Sequence, residues 1–79
     1  MKIKLNIFSV FPNDGIFVGC NEAGTKFSAS IKFTNKAKTQ RLVEFASNEF
    51  SSEKKAIDSL IDCLYSEEGY RTICNAYNQ

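Results

Sequence analysis

The chain has 79 residues, 43% of them apolar, with ten basic and nine acidic side chains and a net charge of +1. A chain this short buries only about 60% of its unfolded surface, so most of its apolar content is needed for one small core. Near-balanced charge argues against a polyanionic DNA mimic and a strongly basic coat protein. The absence of His excludes Ser-His and Cys-His catalysis, and Cys/His zinc sites, within a single chain.

The first segment, Lys2 to Val10, sets Ile3, Leu5 and Ile7 against Lys4, Asn6 and Phe8, which is strand periodicity. Its phase blurs over Phe8–Val10, where a bulge or bend fits. Phe11-Pro12-Asn13-Asp14-Gly15 supplies a turn. A second strand runs from Ile16 to Asn21 with Ile16, Val18 and Cys20 on one face, and Glu22-Ala23-Gly24 closes a hairpin. The third strand alternates most cleanly, Phe27, Ala29, Ile31 and Phe33 against Lys26, Ser28, Ser30 and Lys32. After the turn Asn35–Lys38, a fourth strand from Thr39 to Ala46 points Val43 and Phe45 inward.

Beyond Asn48 the period changes. Ser51 or Ser52 can cap a helix carrying Ile57, Leu60, Ile61 and Leu64 at helical spacing, with Lys54 and Asp58 paired outside. Ser66-Glu67-Glu68 starts a second helix with two acids suited to its first turn, and Tyr70, Ile73, Cys74 and Tyr77 continue it. A last strand over Tyr70–Tyr77 fits that spacing less well. The expectation is one α+β domain over 1–79: a four-stranded antiparallel sheet with two C-terminal helices on one face.

No apolar run is long enough to span a membrane, and Met1–Leu5 alternates where a signal peptide would be continuously apolar. Three cysteines, Cys20, Cys63 and Cys74, without close spacing fit a reducing cytosol and read as small buried hydrophobes. A Cys63–Cys74 bridge across the two helices is the alternative. No cofactor is expected, and the bacterial cytoplasm is the expected compartment.

Charge is segregated. Residues 1–43 hold seven basic and two acidic side chains, +5, and residues 44–79 hold three and seven, −4. The reading is a basic sheet and an acidic helical layer. Phe27, Phe33 and Phe45 lie on core phases, whereas Phe8, Phe11 and Phe17 lie near the first turn and off the cleanest phase. Exposed aromatics there could anchor a protein interface or stack on bases; the alternative is that they seal the core under the loop. Enzymatic signals are absent: the four glycines, Gly15, Gly19, Gly24 and Gly69, make no phosphate loop and mostly fit turns, and Asp58 and Asp62 share an ordinary exposed helix face. The chain reads as a non-enzyme.

The order of these features, with Ile16-Phe17-Val18, the run Asn21 to Ile31, Ser51-Ser52-Glu53, Gly69-Tyr70-Arg71 and Asn75-Ala76, resembles a family of phage-encoded anti-CRISPR proteins that inhibit type I (type I-F-like) surveillance complexes. The resemblance implies a four-stranded sheet backed by two helices and a Cas protein or CRISPR surveillance complex as partner. The family's contact residues, two tyrosines and a glutamate, fall at Asn6, Gly19–Asn21 and Lys32. None matches, so no contact residue carries over. Candidate partner-binding residues are therefore the sheet's own Lys4, Phe8, Phe17, Lys26, Lys32 and Arg41, on a monomer or homodimer. The alternative function is a small nucleic-acid-binding module using the same basic face.

Overall fold

The computed structural model describes residues 6–37 and 41–78. Its elements run α1 (Ile7–Val10), β1 (Phe17–Cys20), β2 (Phe27–Thr34), β3 (Arg41–Ala46), α2 (Glu53–Leu64) and α3 (Glu67–Tyr77). The class is α+β, with a three-stranded antiparallel sheet in the order β1-β2-β3 and two C-terminal helices.

β2 sits in the centre because its alternation is the cleanest. Ala29, Ile31 and Phe33 are buried, and they face Val18 on β1 and Phe45 and Val43 on β3. α2 brings Ala56, Leu60 and Leu64 onto that face, and α3 brings Ile73. Phe33 and Phe45 meet edge to face at 6.0 Å between centroids.

Both flanks of β2 carry an offset of one residue. Asn13 pairs with Phe33 and Phe17 with Ser30, so four steps of chain face three. Ala46 pairs with Ser30 and Phe50 with Phe27, again four against three. An extra residue on one strand leaves a ladder group unmatched and sharpens the twist. On the first flank Gly15 takes the turn at φ +84°. On the second, Ser47 fills the gap: its N–H donates to the Ala29 carbonyl (2.8 Å) and its Oγ accepts from Ala29 N–H (2.9 Å).

Two sequence expectations fail near the N-terminus. Ile7–Val10, expected at the end of the first strand, is helical; residues 2–5 of that strand lie outside the described residues. The physical reason is that Asn6 caps a turn, its Oδ1 accepting from Phe8 N–H at 3.1 Å, and that Ile7 and Phe11 are spaced four apart. Both are buried, Phe11 edge-on to Tyr70 (6.0 Å) and Tyr77 (5.2 Å). The Ile7 N–H donates to Tyr65 Oη at 3.2 Å, tying this segment to the end of α2. Second, Ile16 lies before β1 and is exposed, because the Gly15 offset breaks the phase that grouped it with Val18 and Cys20.

The C-terminal reading holds in detail. Ser52 caps α2, accepting from Lys55 N–H at 3.1 Å, and Ser66 caps α3, accepting from Gly69 N–H at 3.1 Å. Residues Tyr70–Tyr77 are helix. β3 begins at Arg41; Thr39 and Gln40 of the expected strand lie outside the described residues. Gly69 is a packing glycine and not a turn residue: it is buried in the first turn of α3, where a Cβ would overlap the Cys63 carbonyl. Ser66 Oγ donates to that same carbonyl at 2.6 Å, so the α2–α3 corner is tight. All three cysteines are free thiols, which excludes the Cys63–Cys74 bridge in this structure, and Cys20 and Cys63 are exposed rather than buried.

Two stability predictions follow from this packing. Gly69→Ala should cost about 2 kcal/mol by overpacking against a backbone that cannot retreat, whereas Gly19→Ala, whose Cβ would meet only the Phe17 ring at 3.5 Å, should be tolerated. Ile7→Ala should cost about 3 kcal/mol as a buried truncation; an Ile7 facing solvent would cost far less. Urea denaturation of the three variants measures both.

Candidate functional site

With the helices on one face of the sheet, the opposite face presents three cross-strand rows. Phe17, Ser30 and Ala46 form the first, Gly19 and Ser28 the second, and Lys32 and Glu44 the third. Glycine, serine and alanine give a low, flat surface, and one large side chain rises from it. Phe17 is 69% exposed, more than Val10 (44%) or Ile16 (37%), the other exposed large hydrophobics among the described residues. Its ring edge lies over Gly19, close enough that a Cβ there would touch it at 3.5 Å. β-pairing fixes the Phe17 backbone opposite Ser30, so the ring projects from a rigid element.

Lys32 and Glu44 stand opposite each other across β2 and β3, Nζ to Oε2 3.9 Å apart and each about half exposed. An exposed pair at that distance contributes little to stability, but it cancels the local charge. The expectation of a basic sheet therefore needs correction at this row. Dividing charge at residue 43 assigned Glu44 to the acidic half, although β3 carries it back beside Lys32.

Lys26 is exposed at the hairpin that joins β1 to β2. Asn21 builds that hairpin: its Oδ1 accepts from Thr25 N–H (2.9 Å) and Lys26 N–H (3.1 Å), and Gly24 turns at φ +70°. Phe8 is half-buried and packs against the core, so it seals the molecule and is a poor anchor. Phe11 is wholly in the core. Lys4 and the side chain of Arg41 lie outside the described residues. Of the six candidate residues, the structure thus brings Phe17 and Lys32 onto one face and sets Lys26 beside it.

The helical layer behaves as an ordinary charged surface. Lys54 pairs with Asp58 at 2.9 Å, and that hydrogen bond, then the carboxylate charge, raises the lysine's pKa. Arg71 pairs with Glu67 at 3.2 Å. Partial burial, with the Cys74 thiolate charge adding to it, raises the Tyr70 hydroxyl. Among the described residues no group of three His, Cys, Asp or Glu side chains could hold a metal ion. None of their helices is long and apolar enough to cross a membrane.

Sequence reasoning missed the flatness of the face and the role of Glu44. Both signals were present: small residues fill the wet positions of β1 and β2, and antiparallel return after residue 35 brings position 44 opposite position 32. Phe17→Ala should change stability by less than about 0.5 kcal/mol, since little of the ring is buried. Glu44→Gln should do the same, because the pair is exposed. Both are read from chemical denaturation midpoints. A loss several times larger for Phe17→Ala would make the ring a core residue.

Compared with protein-family models, curated proteins and solved structures, the chain has no match in any of the three.

Proposed function

We propose that the chain is a non-enzymatic, phage-type inhibitor that binds a protein surface of a type I CRISPR-Cas complex. By covering that surface it blocks target-DNA recognition or nuclease recruitment in the bacterial cytoplasm. The observation that carries the binding mode is Phe17, fixed by β-pairing and exposed above a flat face on which Lys32 and Glu44 offset each other's charge. Aromatic side chains, Phe included, are enriched at the cores of protein interfaces. Nucleic-acid binding draws on uncompensated cations that displace counterions, and the Lys32–Glu44 row works against that alternative. The class of target rests on the resemblance of the Ile16–Ile31 stretch and the helices after it to the anti-CRISPR family. Lys26 would steer the encounter, with Lys4 and Arg41 as further cations of the basic half of the sequence. No cofactor takes part, and a monomer or a homodimer can act this way.

The test is a tagged pull-down from lysate containing a type I complex, with nuclease treatment and mass spectrometry. Cas subunits should be retained after nuclease, and Phe17→Ala should weaken the purified interaction by about 30-fold, the size of a single hot spot of about 2 kcal/mol. Recovery of nucleic acid alone, lost in high salt, would replace this reading with the nucleic-acid module. Recovery of neither would withdraw the CRISPR target.

A further inference from the structure

Asp14-Gly15 is a dipeptide whose chemistry is intrinsically prone to backbone rearrangement, and it lies in the offset that positions β1. The Gly15 amide nitrogen can attack the Asp14 side-chain carboxyl, forming an N–Cγ bond as the amide gives up its proton and water leaves. The resulting succinimide takes the water back at either carbonyl. Hydrolysis at the α-carbonyl routes the main chain through the side chain as isoaspartate, adding one methylene to the backbone. No oxidant, reductant or co-reactant is needed. Glycine favours the reaction because no side chain shields its nitrogen, and at Gly15 a Cβ would meet nothing within 4 Å. Asp14 is exposed.

The nucleophile, however, is occupied. Gly15 N–H donates to Asn13 Oδ1 at 2.9 Å. The Asn13 amide is itself held, its Nδ2 donating to the Phe11 carbonyl at 2.9 Å and the Phe8 carbonyl at 3.1 Å. On the other side, Asp14 N–H donates to the Lys32 carbonyl at 3.1 Å, pinning the backbone against β2. Closure of the five-membered ring requires Gly15 N to turn toward Asp14 Cγ, which breaks the bond to Asn13.

We infer that Asn13 protects the Asp14–Gly15 linkage from succinimide formation by holding the Gly15 amide, and that loss of this hold converts Asp14 into a site of isoaspartate modification. The consequence would be local and structural. Phe17 follows two residues after Gly15, and an added methylene in the offset would shift the register that pairs it with Ser30. The chemistry does not depend on what the sheet face binds.

The test incubates the intact chain at neutral pH and physiological temperature and measures isoaspartate at Asp14 by peptide mapping, which separates the isomers although their mass is equal. Asn13→Ala removes the acceptor and should accelerate formation about fivefold or more, the effect of losing one hydrogen bond that must otherwise break. Thr34→Val removes the hydroxyl that bonds the Pro12 carbonyl of the same loop (3.5 Å) while leaving Asn13 and its acceptor in place, so its rate should stay near that of the unaltered chain. Equal rates in Asn13→Ala and the unaltered chain would overturn the inference. Equal acceleration in both variants would also overturn it, by assigning the effect to general loosening of the loop. Hydrogen exchange at Gly15 in the unaltered chain needs no variant to fold: the amide should be protected, and exchange at the unstructured rate would contradict the proposal.

Discussion

The inward row of β2, Ala29, Ile31 and Phe33, is the surface to which both neighbouring strands and the C-terminal helices are fitted. A small chain has little core to distribute, so these buried positions carry a large share of it. Because strand side chains alternate, burying this row forces Ser28, Ser30 and Lys32 onto the opposite face. A slip of one residue would bury the lysine and expose the phenylalanine. The flat outer face is thus a consequence of core placement, and it cannot be altered by register without unfolding the protein.

The offsets on the two flanks refine that constraint. Each lets a neighbouring segment leave the ladder and return with its side chains rephased, once through Gly15 and once through Ser47. The first releases Ile16 from the inward phase, while alternation with inward Val18 keeps Phe17 on the outer face. The second carries Phe50 back to Phe27, closing the sheet end before α2 begins.

Much of this was legible in the sequence. The alternation of Phe27–Phe33 names the central strand, and the spacing of Ile57, Leu60 and Leu64 names α2, because regular burial leaves a regular pattern. The N-terminal segment was misread since Ile3, Leu5 and Ile7 satisfy a period of two while Ile7 and Phe11 satisfy a turn of helix. Tertiary packing decides between them: Tyr65, Tyr70 and Tyr77 form the surface that receives Ile7 and Phe11, and these residues are distant in sequence. The charge division failed for a related reason. Glu44 belongs by position to the acidic half, but strand pairing returns it to Lys32, and pairing is not visible in a running count. Exposure of Phe17 was legible, since Ile16, Val18 and Cys20 take the other phase of that strand; exposure of Ile16 depended on the offset at Gly15, which no periodicity in so short a strand could specify.

The central claim is that the outer face, through Phe17, is the surface that meets the partner. Hydroxyl-radical footprinting of the chain, free and bound to a type I CRISPR-Cas complex, addresses it directly. Phe17 should be labelled strongly in the free chain and protected in the complex, while exposed residues of the helical layer such as Cys63 and Arg71 keep their reactivity. Protection of the helical layer with Phe17 still labelled would contradict the account.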